Sequence, residues 1–226
     1  MTHRYRSYDV PHKGLRNAFS QLVVRCSTTD YTNGHDVEEL AFLADDVFRF
    51  LHLHAHAEND VVLAQLEERL PGSTAHDRDD HDDLHVLQHE LETLLADMRG
   101  RSRKAEDVTT MGHTFADGVH RLVARHLEHM SGEETTTQDL LWQHFTDEEL
   151  HGHAGIIMSK HAPEELLMEL RFIVPALSHP ERVGLLSTLQ TVAPEPFVRS
   201  VFDVVRNNMT TKDFTKLEEA LSASAA

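Results

Sequence analysis

The chain has 226 residues and carries 21 basic against 38 acidic side chains, a formal charge of −17. That excess repels nucleic-acid phosphates and anionic lipid headgroups and counts against both as partners. The lone Cys26 excludes an intramolecular disulfide framework, and no apolar run approaches the roughly 20 residues that span a bilayer. The N-terminal MTHRYRSYDVPHK lacks the hydrophobic centre of a signal peptide, so a reducing, cytoplasmic location is expected. Histidine is the outlier, with 19 residues, most of them between His52 and His161.

The apolar spacing predicts helices from end to end. A first helix starts at His12 and buries Leu15, Phe19, Leu22 and Val23, stopping near the loop STTDYTNG. A second runs from Asp36 to about Leu70, through Leu40, Leu43, Val47, Phe50, Leu51, Val61, Val62 and Leu66, and ends at Pro71-Gly72. Ser73 or Thr74 is placed to cap a third, through Leu84, Leu87, Leu91, Leu94, Leu95 and Met98 to Gly100, where the basic RSRK suits a helix C-terminus. A fourth covers Thr110 to Glu134. Thr146 and Glu149 then have capping-box spacing, and five prolines punctuate shorter helices down to Leu221. The expected fold is all-α: an antiparallel four-helix bundle over residues 1–150, followed by a helical extension over 151–226.

The pattern His-x-x-x-Glu sets two metal-binding side chains one turn apart on a single helical face. Five such pairs occur, more than the composition yields by chance. His35/Glu39 sits at a helix start, His144/Glu148 straddles the Thr146 cap, and Pro163 separates His161 from Glu165, so these three are expected to face water. His54/Glu58 and His129/Glu133 lie instead on apolar stripes of long helices. A buried glutamate there costs several kcal/mol unless a cation compensates it. His81 and His85 are a turn apart on the third helix, and His12 opens the stripe of the first, so every bundle helix offers an inward histidine. Residue counts on either side of the first and third turns bring these levels together. Across the second turn they leave an offset of about 7 Å at about 1.5 Å per residue, which the PGSTAHDRDD segment must absorb.

In this order and spacing, a histidine opening the first helix, HAHAE on the second, DDHDDLH on the third and HMSGEE on the fourth resemble the hemerythrin-like, or HHE cation-binding, four-helix bundles. The resemblance covers about residues 10–150. It implies a non-haem di-iron centre of two oxo- or hydroxo-bridged iron ions, with His12, His54, His81, His85 and His129 as nitrogen ligands and Glu58 and Glu133 as bridging carboxylates. Glu133, four residues after His129, follows the wider HHE group; the oxygen-carrying members have an aspartate five residues on. Members include oxygen and nitric-oxide sensors, peroxide-reactive proteins and iron-centre repair proteins, so O2, NO or peroxide is the expected small ligand.

An imidazole-rich shell suits redox-active iron and leans towards ligand binding, whereas carboxylate-rich shells favour oxygenase chemistry. Three readings follow: an O2-binding or sensing protein, a di-iron enzyme turning over peroxide, NO or O2 with an organic substrate, and a helical interaction module with a structural metal. Around the core set, His126 reads as an outer histidine, an extra ligand or an edge-of-core residue. His89 extends the row of His81 and His85, His56 reads as solvated, and Asp80 reads as a partner for His81 or as part of an acidic helix start. Tyr31 reads as a loop residue and Cys26 as a small core residue. The extension carries broad apolar faces on Leu166, Leu167, Leu170, Ile173 and Val174 and further along the chain. These are expected to pack on the bundle or on a second copy in a homodimer.

Overall fold

The computed structural model describes residues 4–224, and among these every regular element is helical. Helix α1 (Asp9–Thr28) is followed by α2 (Gly34–Ala57), which runs through a π-helical turn at Glu58–Val62 into α3 (Leu63–Arg69). Helix α4 (Ala75–Ser102) packs against α2. Helix α5 (Thr109–Gly132) returns along α4 and passes through a second π-helical turn, Glu133–Thr137, into α6 (Gln138–His144). Helix α6 ends at His144, and the next helix starts at Asp147. The second and fourth helices are each interrupted by a π turn that periodicity does not signal, and the fourth continues past its expected end at Glu134 to His144.

Buried positions recur every three or four residues, as a one-faced helix requires. On α2 they include Val47, Leu51 and His54; on α4, His81, Leu84, Gln88, Leu91 and Leu95; on α5, Phe115, Val119, Leu122, His126 and His129. Each large apolar side chain so buried stabilises the fold by about 1.5–3 kcal/mol. Between α3 and α4, Gly72 takes a positive φ of 86° and Glu67 accepts hydrogen bonds from the Gly72 amide and the Thr74 hydroxyl. Thr74 thus holds the N-cap position of α4 without capping it through its side chain. The turn before α2 is tied down by Tyr31, whose hydroxyl donates to the Cys26 carbonyl at 2.9 Å. Its ring lies on α5 so closely that a Cβ on Gly112 would sit 2.2 Å from it. Tyr31 is therefore an anchor for the turn.

The Thr146 capping box forms, with the Thr146 amide donating to Glu149 and the Glu149 amide to the Thr146 hydroxyl, and it opens α7 (Asp147–Lys160). Three-dimensional contacts divide the chain into two units, one of residues 1–9 and 18–159 and one of 10–17 and 160–226. In the second unit, α8 (Pro163–Ala176), α9 (His179–Val192), α10 (Glu195–Asn208) and α11 (Thr211–Ser224) enclose their own core of Leu170, Val174, Leu186, Val201, Val205, Phe214 and Leu217. The early turns of α1 join it through Lys13 to Glu181 and through Asn17, which donates to the Phe172 carbonyl. His161, expected in water, instead pairs with Glu169 at 3.3 Å with both side chains 10% exposed. Glu165 is occupied capping the amide of Ala162. Among the described residues, no helix is long and apolar enough to cross a membrane.

Candidate metal centre

Of the histidines and glutamates singled out in the sequence, His54, Glu58, His81, His129 and Glu133 converge in the bundle. His54 and Glu58 lie one turn apart, with Nε2 3.1 Å from Oε1. The other oxygen of Glu58 is 3.3 Å from His81 Nε2, which also stands 3.8 Å from Glu133 Oε1. The remaining oxygen of Glu133 is 3.4 Å from His129 Nε2. Each carboxylate therefore lies between two imidazoles, in the order His54, Glu58, His81, Glu133, His129. Donor atoms of Glu58, His81, His129 and Glu133 lie within 4.8 Å of one another, and those of His54, Glu58 and Glu133 do so too.

Helical geometry accounts for the pairing. One turn of α2 carries His54 to Glu58, and one turn of α5 carries His129 to Glu133. Glu58 and Glu133 then each begin a π turn, closed by the Leu63 amide donating to the Glu58 carbonyl and the Gln138 amide to that of Glu133. The wider turn accommodates one more residue without redirecting the helix, a device frequent at functional sites. His81 meets Glu58, closer to the α3–α4 turn than His54 is, and this removes part of the 7 Å offset expected there.

The rings of His81 and His129 are held from behind. His81 Nδ1 lies 3.1 Å from Asn59 Oδ1 and His129 Nδ1 lies 3.3 Å from Asp80 Oδ2. Both oxygens can only accept, so each ring carries its proton on Nδ1 and directs the Nε2 lone pair at the carboxylates. Acceptors facing acceptors at these distances need a proton or a metal cation between them. Two donors each about 2.0–2.2 Å from one ion, at cis angles, are about 3.0–3.5 Å apart. The nitrogen–oxygen spacings here match, so the residues fit a metal. A ligating histidine that donates its other N–H to a neighbouring oxygen is the usual arrangement around such ions.

Burial raises the stakes. Glu58 is 3% exposed and Glu133 fully buried, and removing an ion from water costs several kcal/mol. The field of the pair is visible on its neighbours. Burial works against a charged His129, yet hydrogen bonding to Glu133 and the charges of Glu133 and Glu58 lift it to about 9. The Tyr8 hydroxyl is raised well above its ordinary value by burial and then by Glu133 and Glu58, and Asp77 is raised by burial despite accepting from Thr137 at 2.9 Å. His126 is pushed down to about 3 by burial and by the neighbouring imidazoles of His129, His54 and His81.

His12 is fully buried on α1. His85 is not part of this set: it is exposed and outside both groups of gathered donors. The buried stripe of α4 passes from His81 through Leu84 to Gln88, and a residue four positions after His81 falls beside it. His89 and His56 are exposed as well, and Asp80 serves His129, not His81. Asn59, Asp77 and Tyr8 are additions that the sequence did not single out. Asn59 follows Glu58 directly, and Asp77 lies one turn before His81, so both could have been found by asking which polar neighbours adjoin the His/Glu stripe.

The sequence pattern of the Hemerythrin HHE cation binding domain family matches residues 3–151, which include all of these residues. Comparison with curated proteins and with solved structures finds no match. The matched span covers more than half of the chain and coincides with the bundle that holds the His/Glu cluster, and the chain belongs to the hemerythrin HHE cation-binding family.

Proposed function

We propose that this protein is a non-haem di-iron protein that binds O2, NO or peroxide at an iron pair bridged by Glu58 and Glu133. The observation that carries the reading is that each buried carboxylate lies between two imidazoles, as bridging ligands between two ions must. His54, His81 and His129 supply nitrogen, and His12, buried on α1, is proposed as the fourth imidazole. Iron held in this way supplies reversible electron transfer to a small ligand.

The chain's own residues do the rest. Asn59 and Asp80 fix the ring orientations, and apolar turns exclude bulk water. His126 is buried beside the site but outside the gathered donors, lining a cavity of about 220 Å³ that also touches His81. In that position, it is proposed as the group that faces a small ligand entering from the gap between α2 and α4. A larger cleft of about 460 Å³, lined by Asp77, Asp80 and His129, opens on the α4–α5 side. It supports the alternative reading, an enzyme that turns over peroxide, NO or O2 with an organic substrate.

Protein produced with iron should contain about two irons per chain. Anaerobic reduction followed by air should give absorption bands that disappear when the gas is removed. A reproducible content of one zinc overturns the di-iron reading, and rapid irreversible oxidation with product formation favours the enzyme.

A further inference from the structure

His85 leaves the buried centre but does not stand alone. On α2, His52 and His56 are one turn apart on the exposed face, with ring centroids 4.4 Å from each other. His85, on α4, places its ring 6.4 Å from that of His52. Two histidines at i and i+4 on a helix form a ready chelating pair for a transition metal, and here a third imidazole approaches from the facing helix. With metal–nitrogen bonds of about 2.0–2.1 Å, two cis imidazoles on one ion hold their centroids about 4.5–5.5 Å apart. The His52/His56 pair is already near that spacing. Among the described residues, the groups whose donors are already gathered within 4.8 Å both belong to the buried centre, so closing the outer triad on an ion requires rotation of its exposed rings.

The location adds a second observation. His52, His56 and His85 line the same cavity as His81, Asn59 and His126. One end of this cavity is a solvent-exposed set of imidazoles and the other is a residue of the buried centre. We propose that His52, His56 and His85 form a second site, at the cavity mouth, for a divalent first-row transition metal ion. Imidazole nitrogen is the ligand such ions prefer over magnesium or calcium, which take oxygen. Binding at this site does not depend on what the buried centre holds. Delivery of an ion from it to His81 rests on the iron reading given above.

The test is a Zn2+ titration, by calorimetry, of the iron-loaded protein, its H52A/H85A variant and an H35A/H89A control that removes two exposed histidines elsewhere. The wild type and the control should bind one zinc equivalent that H52A/H85A lacks, with iron content the same in all three. Equal zinc stoichiometry and affinity in H52A/H85A and the control would overturn the site. For delivery, Fe2+ uptake by the metal-free proteins is followed over time: a slower approach to the same final content in H52A/H85A supports it, and identical uptake curves overturn it. Wild type that takes up no iron contradicts the di-iron reading instead, while the zinc arm, repeated on the metal-free protein, still decides the outer site.

Discussion

Glu58 and Glu133 occupy equivalent positions in their helices: each follows a histidine by one turn and each is the first residue of a five-residue π-helical turn. Two buried carboxylates are thereby brought to the same atom, Nε2 of His81. The arrangement is costly without a cation, because like charges in a poorly solvated interior repel and lose hydration.

This cost predicts a trade between stability and metal binding. Glu58→Gln should lower iron content strongly, since a neutral amide is a poor bridge. In the metal-free protein the same change should raise stability by about 1–2 kcal/mol, because it removes a buried charge beside Glu133. Thermal melts of both proteins with and without iron check this; a metal-free variant less stable than wild type contradicts it.

The outer hydrogen bonds predict a weaker effect. Asn59→Leu removes the oxygen that fixes the His81 ring, and Asp80→Asn weakens the hold on His129. Each should reduce metal affinity about 10- to 100-fold while leaving the helical content unchanged. Competition with a chromogenic chelator measures the first, and circular dichroism the second.

His129 predicts the pH dependence. In the metal-free protein it is lifted from 6.5 to about 9, so the imidazolium is favoured by folding. Its stabilising contribution is complete below 6.5 and is lost as the pH rises through about 9. A metal ion must displace that proton, so through this window each fall of one pH unit should weaken metal binding about tenfold. Calorimetry at neutral pH in two buffers of different ionisation enthalpy should show about one proton released by this residue. Affinity independent of pH would contradict the assignment.

Gly112 tests the packing that seats the first turn of the bundle. An alanine there would place its Cβ 2.2 Å from the Tyr31 ring. Overpacking of this kind should destabilise the protein by about 1–3 kcal/mol. Tyr31→Phe loses only the bond to the Cys26 carbonyl, about 1 kcal/mol. Denaturant unfolding ranks the two variants, and neither should alter metal stoichiometry, because Tyr31 is outside the gathered donors.

By itself, the sequence determined the helical class and the facing of the pairs His54/Glu58 and His129/Glu133. All of these depend on spacing within one helix, and a repeat of 3.6 residues converts spacing directly into facing. His81 was legible for the same reason, lying on the stripe of Leu84, Leu91 and Leu95. What only the tertiary structure decided is how helices meet. One helical turn separates His81 from His85, but the approach of α2 and α5 leaves the first buried between two carboxylates and the second beside His52 at the surface. The π turns, the pairing of Asp80 with His129 and the support from Asn59 likewise depend on helix register, which one chain's periodicity does not encode. Local geometry nominated candidate metal ligands; packing between helices decided which of them are gathered together.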